Sequence, residues 1–222
     1  MARDVCVLYS GGLESSVLLG LESIGARVWP LRIHYGLRWE MAEEVVCKRY
    51  IRALQRRERP HTVQRLTVKK IAVPSAARPW WALGGSVPPA GSPDTAVELP
   101  YRNTLLLCTA LEFCAEHGIS ELALGILSGN PFPDATEVFF ALWEEASLIR
   151  FDERVRVRTP LRTLRKADVV HLGRADQLPL ELTVSCCDPI DEGMHCGKCN
   201  KCAERQQAFR EAQVEDGALF AI

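Results

Sequence analysis

Val5–Gly20, VCVLYSGGLESSVLLG, is the stretch whose reading decides how this chain folds. Val5–Tyr9 is a short apolar run of the kind buried in a parallel sheet. From Glu14 to Ile24 the apolar spacing becomes helical, with Val17, Leu18 and Leu21 on one face. The corner between them is Ser10-Gly11-Gly12-Leu13-Glu14-Ser15-Ser16. Glycine lets the backbone turn tightly, and a helix start offers N–H groups with no partner of their own. Add the positive end of the helix dipole and the serine hydroxyls, and the corner becomes a cradle for an anion such as phosphate. A plainer reading is equally open: a Ser/Gly turn that only caps the helix. No lysine follows as in G-x-x-x-x-G-K-[ST], and the spacing is not G-x-G-x-x-G.

The alternation continues outward. Val28–His34, Thr62–Val68 and Leu122–Ile126 read as strands. Helical patterns cover Glu40–Arg56 (Val45, Val46, Tyr50, Leu54), Arg102–His117 (Leu105, Leu106, Thr109, Phe113) and Ala135–Leu148 (Val138, Phe139, Leu142, Trp143). Strands alternating with helices predict an α/β fold, a Rossmann-like parallel sheet with helices on both faces. Pro74–Pro100 breaks the pattern. It is rich in Pro, Gly and Ala and too long for a routine connection, which predicts a lid-like loop. We expect an α/β body over 1–184 and a small C-terminal segment over 185–222.

The chain has 222 residues, 47% of them hydrophobic, and a formal net charge of −1 with both signs interspersed. That balance argues against a broad grip on nucleic acid or acidic lipid. No apolar run approaches the ~20 residues of a membrane span, and the first residues do not read as a signal peptide. A cytoplasmic protein is expected. Five of the nine cysteines lie beyond Ser185. Cys196, Cys199 and Cys202 follow a C-x-x-C-x-x-C pattern, and Cys186 stands across a nine-residue loop. Four thiolates suit structural zinc. An iron–sulfur cluster shares the C-x-x-C-x-x-C opening but lacks the Cys-Pro continuation here. Cys187 is a spare thiol or an alternative ligand, and His195 is a further possible ligand.

SGGLESS resembles the SGG-x-D-S loop of the ATP pyrophosphatase (PP-loop) superfamily, with Glu14 in place of the usual Asp. TVSCCDP followed by HCGKCNKCAERQQAF is similar to the zinc segment of the 7-cyano-7-deazaguanine synthase (QueC/ExsB) family, T-W-S-C-Y…C-G-x-C-x-x-C-x-x-R…F. His34–Arg38 (HYGLR) resembles that family's D-Y-G-Q-R, Leu99–Asn103 (LPYRN) its V-P-x-R-N, and Pro131–Asp134 (PFPD) its Y-P-D. Thr159–Gly173 resembles its P-L-x-x-L-x-K stretch.

The resemblance implies an ATP-dependent ligase with Mg2+ and Zn2+. Such an enzyme converts 7-carboxy-7-deazaguanine and ammonia to 7-cyano-7-deazaguanine through an acyl-adenylate and then an amide, consuming two ATP. It also implies a homodimer. Nucleotide contacts then fall to Leu8, Tyr9, Ser10, Gly11, Gly12, Leu13, Glu14, Ser15 and Ser16, with His34 and Arg38 at the end of the second strand. Ser10, Lys166 and Arg102 are the implied catalytic residues, and Cys186, Cys196, Cys199 and Cys202 the metal ligands. Each cation, Arg38, Arg102 or Lys166, is otherwise an ordinary surface charge. Asn103 and Asp134 are placed at the substrate, although Asp134 can equally cap the following helix. Trp80, with Trp81, can stack on the deazapurine or serve as a core or dimer contact.

Departures gather around the expected substrate pocket. Leu37 and Trp39 stand where the family has Gln and His, and Ala135-Thr136 where it has Cys-Arg. No Asp lies between Gly125 and Asp134. Two other functions therefore stay open: a QueC-like ligase that stops at the amide or uses another amine, and a non-catalytic zinc or nucleotide-binding module.

Overall fold

A computed structural model describes residues 3–57 and 62–221. Its centre is a five-stranded sheet: β1 (Asp4–Leu8), β2 (Arg27–His34), β3 (Thr67–Lys70), β4 (Glu121–Ala123) and β5 (Arg156–Arg158). The order is β3-β2-β1-β4-β5 and every neighbouring pair is parallel. Parallel pairing forces a crossover after each strand, and α1 (Leu13–Gly25), α2 (Glu40–Gln55), α4 (Arg102–Glu116) and α5 (Glu137–Phe151) supply most of it. α3 is one turn, Trp80–Leu83, within the lid-like loop. α6 (Lys166–Ala175) and α7 (Asn200–Glu211) complete the set.

Side chains of β1 alternate between two cores, as strand geometry requires. Val5 and Val7 join Val17 and Leu18 of α1, Tyr50 and Leu54 of α2, Val170 of α6 and Phe209 of α7. Cys6 faces the other way, onto Leu107 and Leu111 of α4, Leu122 of β4 and Phe140 of α5. The expected sandwich of helices on both faces is thus present. Among the described residues, no helix is long and apolar enough to cross a membrane.

The strand expected over Thr62–Val68 is displaced. Val63 makes an isolated parallel bridge to Val28, and the regular ladder begins only where Thr67 meets Leu31. Four residues on one chain here face three on the other, so one is in excess and the ladder breaks, as at a β-bulge. β5 escapes the periodicity because Arg-Val-Arg is short and mostly charged. In α5 half of the expected apolar face meets the core, Phe139 and Trp143, and half does not. Phe140 is buried, whereas Val138 and Leu142 are exposed along with Ile149.

A third cluster joins the cysteines to Trp39, Val46, Ala82 and Val184. Arg205 of α7 bolts this region down. It is fully buried and forms a two-pronged pair with Asp216, both bonds 2.8 Å. It also donates to Thr183 Oγ1 at 2.7 Å and to the Leu180 carbonyl at 3.0 Å. Such a fork suits arginine because its planar donors match several acceptors at once.

The sheet order reverses between β1 and β4. In open parallel sheets a crevice forms outside the carboxyl ends of the strands at that point. The Ser/Gly corner follows β1 directly, so the fold delivers it to the crevice.

Candidate active site

Gly11 has φ +82°, and a Cβ there would come 3.0 Å from Cys47 Sγ and 3.2 Å from the Glu43 carbonyl oxygen. Both the left-handed turn and the tight approach of α2 therefore require glycine. Gly12 is the N-cap of α1, and no side chain caps that end. The first-turn N–H groups of α1 have no partner within the helix. Ser10 and Ser15 pair through their hydroxyls at 3.1 Å, and Gly12 N–H donates to Ser10 Oγ at 3.2 Å. The backbone thus curls around a small concavity, as an anion cradle needs.

Arg32 holds the loop from beneath. Its guanidinium donates to the Ser10 carbonyl at 2.8 Å, the Glu40 carbonyl at 2.9 Å and Glu43 Oε2 at 2.7 Å. Sequence reading missed it, because a cation inside an apolar strand gives no periodic signal. The same buried group faces His34 Nε2 at 2.9 Å. Burial first, and the Arg32 charge second, push the His34 pKa below its ordinary value.

Two adjoining cavities open over the loop, of about 550 and 210 Å3. Leu8, Tyr9, Ser10 and Ser15 line the smaller, and Gly12, Asp134 and Lys166 the larger. Glu14, Trp39, Glu43, Arg102 and Asn103 line both. Gly11, Leu13 and Ser16 sit behind the wall, and Leu13 and Ser16 are fully buried. His34, Arg38 and Trp80 are not on either wall. His34 turns to Glu44 and Glu40 of α2. Arg38 bridges the Gly85 carbonyl and Asp188, each at 2.7 Å. Trp80 is 74% exposed, whereas Trp81 reaches the larger cavity and stacks on Trp39 at 5.6 Å.

The walls carry a chain of alternating charge. Lys166 Nζ lies 3.0 Å from Glu14 Oε1 and 2.9 Å from Glu204 Oε2, and Lys201 Nζ lies 2.6 Å from Glu204 Oε1. Burial alone would weaken the Lys166 ammonium, but Glu14 and Glu204 outweigh it and raise its pKa. For Glu14, burial pushes the carboxyl up and Lys166 more than offsets it, leaving the pKa lowered. Sequence reading missed Lys201 and Glu204, which look like ordinary surface charges on either side of Cys202.

The starts of four helices surround this space. Gly12 precedes α1, Arg102 opens α4, Lys166 opens α6, and Lys201 lies in the first turn of α7. A cation at a helix N-terminus opposes the helix dipole, at a cost of about 0.3–1 kcal/mol each. Three cations stand so around one cavity, two of them, Lys166 and Lys201, held by Glu14 and Glu204.

Asp134 has a role that neither sequence reading foresaw. Thr136 caps α5, accepting from Phe139 N–H at 3.2 Å. Asp134 instead caps α4, accepting the Asn103 backbone N–H at 3.1 Å, while Asn103 Nδ2 donates to its Oδ1 and carbonyl. A cap from a distant segment locks Arg102 and Asn103 in place.

The sulfurs of Cys186, Cys196, Cys199 and Cys202 all lie within 4.8 Å of one another and are buried. The closest separations are 3.5, 3.9 and 4.0 Å. A tetrahedron of sulfurs about 2.3 Å from a zinc ion has edges of roughly 3.8 Å. Four buried cysteines here could therefore hold zinc. A multi-iron core would need sulfurs farther apart. Backbone N–H groups of Asp188 and Cys196 point at Cys186 Sγ, 3.3 and 3.4 Å away, which favours a thiolate. His195 is not a ligand. Its Nε2 accepts from Ser185 N–H at 2.9 Å and its Nδ1 faces the Leu219 carbonyl at 3.3 Å.

Comparison with known proteins agrees with this geometry. The family model described as Queuosine biosynthesis protein QueC matches residues 4–213. The 7-cyano-7-deazaguanine synthase of Methanopyrus kandleri is 34% identical, over 97% of this chain and 97% of its own. Its namesake from Azoarcus sp. is 30% identical, over 96% and 95% respectively. A solved structure described as a predicted subunit of tRNA methyltransferase from Methanocaldococcus jannaschii is 18% identical, covers 99% of this chain and 92% of itself, and has a TM-score of 0.49. With its Ser/Gly loop at the sheet's switch point and its cluster of four cysteines, the chain belongs to the QueC family of queuosine biosynthesis enzymes.

Proposed function

We propose that the protein uses ATP to convert 7-carboxy-7-deazaguanine and ammonia to 7-cyano-7-deazaguanine through an acyl-adenylate. The observation that carries this reading is the ring of helix starts and cations around the loop, at the mouth of a cavity large enough for a second, flat ligand. A carboxylate is a poor electrophile, and transfer of AMP to its oxygen gives it a good leaving group. Negative charge builds on pyrophosphate as the bond to the α-phosphate breaks. The N–H groups after Gly12, together with Lys166, stabilise that charge from fixed positions, which lowers the barrier without reorganisation. Arg102, on the wall shared by both cavities, holds carboxylate and α-phosphate together. Asn103 contacts the base and Asp134 positions Asn103.

Ammonia then attacks the acyl carbon and AMP leaves, giving the amide. Adenylation of the amide oxygen by the second ATP, followed by loss of AMP and protons, gives the nitrile. Glu14, which pairs with Lys166 at the loop, would hold magnesium, and the ion would supply charge neutralisation at the phosphates. Zinc on the four cysteines is structural in this reading, with no open position for substrate.

A second reading, a ligase that stops at the amide or takes another amine, has one observation in its favour. The Trp39–Trp81 stack and Leu37 form an apolar patch, and Leu37 and Trp39 stand where the resembled motif has Gln and His. Incubation with ATP, ammonia and the acid, read by mass, decides between them. The nitrile mass is expected. Accumulation of the amide supports the second reading, and no AMP with this acid refutes both.

The homodimer also remains a proposal. Val138, Leu142 and Ile149 of α5 are exposed on one helical face and provide an apolar surface for a second copy. Light scattering should give twice the 24.8 kDa chain mass, and Leu142→Glu should give the monomer. A wild-type monomer at micromolar concentration would overturn it.

A further inference from the structure

The lid-like loop is stitched to the cysteine turn, and Asn200 makes most of the stitches. Residues 198–200 flank Cys199. Ala90 N–H donates to the Lys198 carbonyl at 3.0 Å, and Asn200 N–H donates to the Pro88 carbonyl at 2.9 Å. Pro89 and Cys199 thereby form an antiparallel bridge. The Asn200 side chain adds a bond of 2.6 Å from Nδ2 to the Ser92 carbonyl. It is nearly fully buried, and its Oδ1 has no hydrogen-bond partner. A buried amide with one unsatisfied atom is costly, so its donor bond must matter to the arrangement.

A second tie runs through Arg38. It joins the lid at Gly85 to Asp188, two residues after Cys186. Ala82, just before Gly85, and Val87, between the two ties, pack into the same cluster as the sulfurs. Beyond them the lid contributes Asp94, Val97, Glu98 and Leu99 to the wall of the larger cavity. The lid itself has little regular structure to hold its course: one helical turn and short 3-10 turns.

We propose that Asn200 is a positioning residue which couples the metal turn to the lid, so that the filled cysteine site sets the shape of the acid-binding cavity. The four cysteines fix residues 196–202, Asn200 and Lys198 carry that geometry across to residues 88–92, and the lid wall follows. The part concerning the acid rests on the proposed function; the mechanical coupling does not. It predicts that the metal matters to substrate binding as well as to stability.

Hydrogen exchange on the full-length, metal-loaded protein tests it. Asn200→Ala should speed exchange over residues 86–97 roughly five- to tenfold, the loss of one buried bond, with α1 unchanged and one metal ion per chain retained. The KM for 7-carboxy-7-deazaguanine should rise with that for ATP unchanged. Unaltered exchange in the lid, or an equal rise in α1, would overturn the coupling. Faster lid exchange with no change in the acid's KM would leave the coupling intact and count against the assignment of the cavity. Should the variant fail to fold, the wild type stripped by a chelator serves. Exchange over 86–97 should rise ahead of α1, and a simultaneous rise would refute the proposal.

Discussion

Stripped of its metal, the protein should melt at least about 10 °C lower, and adding zinc back should restore the transition. Closed four-thiolate sites couple metal affinity to folding, with apparent values on the order of 10 kcal/mol in small zinc domains. Here the sulfurs are also the centre of a hydrophobic cluster that joins the lid, α2 and the segment before Cys186. Without the ion the turn around Gly197, whose φ of +75° is itself left-handed, is held by a few backbone bonds on either side, such as Ala90 N–H to the Lys198 carbonyl and Ala221 N–H to the His195 carbonyl. Cys199→Ser should reproduce the effect, since Cys199 Sγ lies within 4.0 Å of both Cys186 and Cys202. Calorimetry showing equal melting temperatures with and without metal would end the structural reading of the site.

Lys166→Met should lower the rate of AMP formation by about 100- to 1,000-fold, the scale seen when a fixed transition-state donor is removed. The ammonium sits between Glu14 at the loop and Glu204 on α7, and both carboxylates raise its pKa. It therefore stays protonated throughout the neutral range, and the pH profile should contain no step from it. Lys166→Arg keeps the charge but not the compact ammonium, and partial activity is expected. Circular dichroism should show both variants folded. A methionine variant with the wild-type rate would remove Lys166 from the chemistry.

Much of the architecture was legible in the residues because its signals are local. The Ser10–Ser16 corner between an apolar run and a helical run announced β1, the loop and α1. The C-x-x-C-x-x-C spacing announced the metal turn. The bounds of α2 and α4 were close, although in α4 the buried face runs through Leu107, Ala110, Leu111, Phe113 and Cys114, and of the expected residues only Phe113 belongs to it. Where the signal was not local, reading failed. β5 is three residues with two arginines, and it is a strand only because β4 lies beside it. Val138 and Leu142 look like core by spacing, yet they are exposed, because α5 meets the core along Phe139, Phe140 and Trp143.

The site divides in the same way. Ser10, Glu14, Ser15, Arg102, Asn103, Asp134 and Lys166 were marked in the chain, and all line the cavities. Arg38 and Trp80 were marked too, but one ties the lid to the metal segment and the other faces solvent. Arg32, Lys201, Glu204 and Asn200 carried no mark. Lys201 reaches only Glu204, three positions on, but the partners of Arg32, Glu204 and Asn200 include Glu40, Lys166 and Ser92, which lie 8, 38 and 108 positions away.

By itself the chain determined its class, an α/β body with a Ser/Gly corner after the first strand and a four-cysteine segment, because period, glycine placement and cysteine spacing act over a few residues. Tertiary structure alone decided which charges face one another: that Lys166 stands between two carboxylates, that Asp134 caps a helix it does not belong to, and that the lid hangs from the metal turn. Coulombic and hydrogen-bonding energies depend on distance in space, and only the packed sheet brings those distances within reach.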